Sequence, residues 1–101
     1  MECWLPITYR EFYDIPRIFI VQRGDRIFLF DCPFDDVEDE YSKAFKIHLM
    51  PNLSTRELAG SWAGLPAKAE RFIGEVPISD VRFDPTARQQ IEAAALTRFG
   101  F

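Results

Sequence analysis

The stretch from Arg17 to Cys32, RIFIVQRGDRIFLFDC, constrains the fold of this chain more than any other. Two short runs rich in β-branched and aromatic residues, Ile18-Phe19-Ile20-Val21 and Ile27-Phe28-Leu29-Phe30, flank Gly24-Asp25. That is the pattern of a β-hairpin. A glycine at the first loop position supplies the positive φ of a type II′ turn, whose twist matches that of the strands. With Gly24-Asp25 as the loop, Arg23 opposes Arg26, Val21 opposes Phe28 and Phe19 opposes Phe30. Ile20 and Leu29 then pair on the other face. Both faces are apolar, whereas a hairpin with one wet face alternates apolar and polar residues. The pair is therefore expected at the centre of a sheet or inside a small barrel, covered front and back.

The rest of the chain is read around that hairpin. Residues 1–7, with Trp4, Leu5 and Ile7 around Pro6, are expected to pack over an open sheet face. Thr8 to Tyr13 alternates as a strand that Ile15-Pro16 ends, because proline donates no ladder hydrogen bond. Tyr41 to Met50 alternates cleanly, with Phe45, Ile47 and Leu49 on one side, and Pro51 stops it. Ser54 and Glu57 have the spacing of a capping box for a short helix ending near Gly60. Leu65-Pro66 is expected to open a second short helix running to Gly74. Residues 75–83 read as an extended edge segment, where Pro77 is tolerated. Asp84-Pro85 is an N-cap and N1 pair before PTARQQIEAAALTRF, which predicts a C-terminal helix. Its alanine stripe would let it lie closely over the hairpin. The expected fold is α+β in a single domain over 1–101. It has an antiparallel sheet of about four to five short strands, as an SH3-like barrel or an open sheet, a C-terminal helix and one or two short helices.

Composition narrows the function classes. The net charge is −4, and all of it lies in the first half: residues 1–50 carry ten acids and six bases, residues 51–101 six of each. An acidic chain lacks the basic surface that displaces counterions from nucleic acid, so that partner class is disfavoured. No apolar run approaches the length of a membrane span, so no membrane association is expected. The opening MECWLPITYREF, with an acid at position 2, does not read as a secretory signal. Two cysteines, Cys3 and Cys32, make no disulfide framework, and the expected setting is cytoplasmic.

Four groups of residues offer chemistry. Arg23 and Arg26 would form either a two-arginine fork for a carboxylate or phosphate or a solvated hairpin tip. The loop 31–40 is crowded with carboxylates, and Asp35, Asp36, Glu38 and Asp39 could hold a hard cation or face a basic partner. The spacing is not that of an EF-hand, and the plain alternative is a solvated loop that keeps strand edges from pairing. Cys32 and His48, the sole histidine, could form a thiol–imidazole dyad. Antiparallel pairing of their two strands would place them at opposite ends. Tyr41 and Trp62 belong to an aromatic set that either lines a binding groove or packs into the core. No P-loop, GxGxxG, HExxH or CxxC occurs, and no cofactor is implied. The leading expectation is a non-enzymatic protein-interaction or accessory module, self-associating or engaging a protein partner. The alternatives are a small enzyme using Cys32 and His48 or carboxylates, and a divalent-cation site in the loop 31–40.

Overall fold

The computed structural model describes residues 4–101. The hairpin forms in the register that its sequence predicts. β2 (Ile15–Arg23) and β3 (Arg26–Asp31) pair antiparallel with Arg23 opposite Arg26, Val21 opposite Phe28, Ile20 opposite Leu29 and Phe19 opposite Phe30. Gly24 takes φ 64° while Asp25 keeps a negative φ, as a type II′ loop requires. The pair sits in the middle of a six-stranded sheet. β1 (Trp4–Tyr13) flanks β2, and β8 (Gln90–Glu92) flanks β1. On the other side β6 (Ala44–Met50) flanks β3, and β7 (Arg71–Pro77) flanks β6. All pairs are antiparallel. β4 (Phe34–Asp35) and β5 (Glu40–Tyr41) form a separate two-stranded ribbon.

The sheet curls into a half-barrel, and its inner face is lined by large rings. Phe19, Phe28, Phe30 and Phe45 are fully buried there, together with Val76 from β7 and Ile91 from β8. Phe83 bridges the open side, pairing with Ile91 and meeting the rings of Phe19 at 5.6 Å and Phe45 at 6.3 Å. The short helix α2 (Ala94–Thr97) adds Ala95 and Leu96, and Phe101 packs edge-on against Phe28. The outer face holds a second core of Ile18, Ile20, Leu29 and Met50, covered by Trp62 and Leu65 from the segment that contains α1 (Thr55–Ala59). Both faces of the hairpin are thus shielded from within the chain. The α1 capping box forms as its spacing predicts: Ser54 Oγ accepts from Glu57 N–H at 3.1 Å and Glu57 Oε1 accepts from Ser54 N–H at 3.2 Å.

The structure corrects the reading at five places. The main sheet has six strands rather than four or five, and of the two expected forms, an SH3-like barrel or an open sheet, it takes the open one, curled into a half-barrel. Trp4–Ile7 are not a flap over a face but the start of β1, paired with β8 and with Val21. Pro16 does not end the first strand. It lies inside β2 opposite Phe12, beside a bulge in β1, and the reversal falls at Asp14 with φ 69°. The expected helix from Pro66 to Gly74 is one 3₁₀ turn, Leu65–Lys68, after which Arg71–Pro77 is strand. Gly74 is needed in that strand because a Cβ there would stand 2.6 Å from the Phe99 ring.

The expected long C-terminal helix is the fifth correction. Asp84 behaves as a cap, with Oδ2 accepting from Ala87 N–H at 3.0 Å and Oδ1 from Gln89 and Gln90 N–H at 2.6 and 2.9 Å. The turn it closes does not propagate. Arg88 enters the left-handed region at φ 54° and donates to the Asp14 carbonyl, joining two loops. Gln90–Glu92 then pairs with β1 and buries Ile91 completely. Burial of a large apolar side chain, roughly 1.5–3 kcal/mol, outweighs the few tenths by which helix propensities differ.

These backbone donors, Ala87 N–H foremost, hold the Asp84 carboxyl below its ordinary value of 3.8. A carboxyl depressed on folding contributes stability above that ordinary value and loses it as pH falls through the folded one. Asp84→Ala is therefore expected to lower the melting temperature at neutral pH and to speed amide exchange at Gln89 and Gln90. The gap to the parent should close below about pH 3.8. An equal gap at pH 2 and pH 7 would show that the carboxylate does not hold this turn.

Candidate functional site

One end of the inner face, away from the hairpin tip, carries a cleft built on the β4–β5 ribbon. Phe34 pairs with Tyr41 and Asp35 with Glu40. Asp35 Oδ1 accepts from Val37 N–H at 2.9 Å and Glu38 N–H at 3.3 Å, Asp39 bends the chain at φ 55°, and Ser42 N–H closes the base on the Pro33 carbonyl at 2.8 Å. The Phe34 ring stands edge-on to Tyr41 at 5.1 Å and 82°. Under Tyr41 lies Arg17, whose guanidinium carbon is 4.4 Å from the ring centroid. Arg17 is only 9% exposed, and its Nη1 donates to Cys32 Sγ at 3.5 Å. The Cys32 thiol in turn donates to the Ser42 carbonyl at 3.0 Å. Above this floor opens a cleft of about 900 Å³, bounded across from the ribbon by Ile78 and Ser79. Its walls carry both signs of charge, Arg17 and Lys43 against Asp39 and Glu40.

The floor is rigid for a physical reason. A guanidinium stacked on an aromatic face, with its N–H groups occupied, is a pre-organised platform. Burial, the largest influence, pushes the Cys32 thiol up from its ordinary value. The hydrogen bond and charge of Arg17 pull it back only in part. A protonated thiol is a poor nucleophile.

The structure separates the expected dyad. Cys32 lies on the inner face with Phe28 and Phe30. His48 is the register partner of Leu29, so it lies on the outer face. There its ring tilts against Phe72 at 5.5 Å, and its Nε2 is buried with no hydrogen-bond partner among the described residues. Burial lowers the His48 pKa, opposed by the nearby charge of Asp31. Burial raises the Asp31 carboxyl in turn, against the pull of His48 and Lys46.

The other sequence candidates scatter. Asp35, Asp36, Glu38 and Asp39 are exposed in the ribbon turn, and the Asp35 carboxylate is engaged with backbone donors there. Among the described residues no three His, Cys, Asp or Glu side chains gather as a metal ion would require. Trp62 is 3% exposed, packs in the outer core and donates from Nε1 to the Leu58 carbonyl at 3.0 Å, with Arg10 over its ring. It belongs to the outer core, and its edge lines a separate cleft of about 340 Å³ with Arg10, Ile18 and Phe34. Arg23 and Arg26 sit together at the hairpin tip, and Tyr41 alone of the aromatic pair lines the ribbon cleft. Cys3 lies outside the described residues.

Sequence reasoning passed over Arg17 and Ile78. A signal for Arg17 was present. It shares the phase of Phe19 and Val21, so a charge stands at an inward position of a buried strand and must find partners. Nothing local marks Ile78, which the fold brings to the ribbon through β7.

Among the described residues no helix is long and apolar enough to cross a membrane. No protein-family model, curated protein or solved structure matches the chain.

Proposed function

We propose that this chain is a non-catalytic binding module that seats a segment of a partner protein in the cleft between the β4–β5 ribbon and Ile78–Ser79. The observation that carries the reading is the pairing of an exposed aromatic with a rigid floor. Phe34 is 47% exposed at the mouth, and Tyr41 below it is held by Arg17. An aromatic and arginine cluster ringed by polar side chains is the usual anatomy of an interface hot spot. Val37, 90% exposed at the ribbon tip, extends the apolar surface. The hairpin supplies no argument for a partner, since its own chain covers both faces. A second copy of the chain is one partner of the required chemistry. The cytoplasmic setting belongs to the same reading and rests on the unpaired Cys32.

Selection of a displayed peptide library on the folded chain tests this. The expected result is an enriched peptide family whose titration shifts the amides of Phe34, Tyr41, Ser42 and Ile78. Phe34→Ala, at an exposed position, should weaken that binding by roughly 2 kcal/mol, about thirtyfold. Enriched peptides that map elsewhere would remove the reading. So would ester, phosphate or thiol turnover by the parent that Cys32→Ala abolishes, which would install the enzymatic alternative.

A further inference from the structure

The opposite end of the inner face gathers positive charge. Arg23 and Arg26 are direct register partners at the hairpin tip, in phase with Val21 and Phe28. Arg71 pairs with Leu49, and Leu49 pairs with Phe28, so Arg71 reaches the same face at the same end. Arg26 and Arg71 meet at the Phe101 ring, and Arg23 lines the same cleft. The guanidinium carbon of Arg26 is 5.1 Å and that of Arg71 5.9 Å from its centroid. Between the tip and Phe101 lies a cleft of about 320 Å³, lined by Arg23, Arg26, Phe28 and Phe101 with the backbone turns at Gly24 and Gly100. Asp25 is the one acidic side chain in the lining. Among the described residues neither it nor any other acid forms an ion pair with Arg23, Arg26 or Arg71.

Two features of this end are unfavourable without a ligand. Like charges directly opposed across strands repel. In addition, Arg23 Nη1 is closed to water with no hydrogen-bond partner among the described residues, while the residue as a whole is partly exposed; an unmade hydrogen bond at a buried donor is costly. One group relieves the first: an oxyanion in the cleft that accepts from the solvent-facing N–H groups of the two guanidinium forks and neutralises them.

We propose that the cleft at the hairpin tip is a binding site for an oxyanion, a phosphate or carboxylate group held between Arg23 and Arg26, with Arg71 adding positive charge across the Phe101 ring. The site lies at the far end of the sheet from the ribbon cleft, so its fate is independent of the function proposed above.

The test is a titration of the intact chain with inorganic phosphate, and separately with acetate, at ionic strength held constant with sodium chloride. The readouts are the arginine Nε–Hε signals and the melting temperature. The expected result is saturable movement of the Arg23 and Arg26 signals and of the Gly24 amide, with a rise in melting temperature. Whichever anion binds tighter identifies a phosphoryl or a carboxylate source. Arg23→Gln and Arg26→Gln should each weaken binding about ten- to a hundredfold, the loss expected for a charge-assisted hydrogen bond. Without added anion, Arg23→Gln should melt at or above the parent, because the opposed charges are relieved. Absence of saturable change with both anions would overturn the proposal. So would binding that survives both substitutions, or an Arg23→Gln chain that melts well below the parent in anion-free buffer.

Discussion

Phe30→Ala is expected to destabilise the protein by about 3–5 kcal/mol, the largest loss at any single position. Phe30 is fully buried at the centre of the inner face, stacked on Phe19 at 4.7 Å and edge-on to Phe45 at 6.1 Å. Truncation removes the transfer energy of the ring and leaves a cavity between strands that pair on both sides and cannot collapse freely. A domain of this size has roughly 5–15 kcal/mol of stability in all, so the variant should stand near the edge of folding. Equilibrium urea unfolding checks this. The midpoint should fall with the slope unchanged, since the surface exposed on unfolding is nearly the same. A loss under about 1 kcal/mol, the ordinary effect of a point mutation, would mean the ring is not the keystone of the inner core.

Leu29→Ala is expected to cost about 2–5 kcal/mol through the other core. Leu29 is the adjacent residue, also fully buried, but it points outward to Ile18, Ile20, Met50, Trp62 and Leu65. This loss carries the sharper test. In an ordinary two-faced hairpin one of two neighbouring positions is wet, and its truncation costs within about 0.5 kcal/mol. Large losses at both positions require cover on both faces. The outer cover is the segment holding α1 and Trp62, so Leu29→Ala should also speed amide exchange at Leu58 and Leu65. A Leu29→Ala chain as stable as the parent would show that the outer face is not sealed by that segment.

Part of the candidate site could be read from the sequence and part could not. Tyr41 was singled out, and it lines the ribbon cleft. Trp62 was singled out for the same aromatic character; it packs in the outer core and lines a different cleft, because ring chemistry alone does not say which groove a ring reaches. The opposition of Arg23 and Arg26 followed from counting outward from Gly24-Asp25, and the fold keeps it. Arg71, the third cation of that end, is brought there by two steps of strand pairing across β6. The expected carboxylate loop became an ordered turn because Asp35 Oδ1 accepts from the Val37 and Glu38 backbone N–H groups. Cys32 and His48 parted because residues on paired strands share a face only when their phases agree, and these do not.

Local chemistry by itself determined the hairpin, its loop and register and the Ser54–Glu57 cap, whereas the extended segment expected over 75–83 is strand only to Pro77 and turns at Ile78–Asp80. The hairpin and the cap each depend on side chains within a few residues of one another, so neighbours in sequence suffice to decide them. The tertiary structure decided the strand count, the fate of residues 66–74 and 85–99, and the curl that closes Phe83 and Ile91 over the inner rings. In those segments helix propensity favours one state by tenths of a kcal/mol per residue, while burying Ile91 or seating Gly74 against Phe99 favours the other by more. Long-range burial wins there, and its partners are strands distant in the chain.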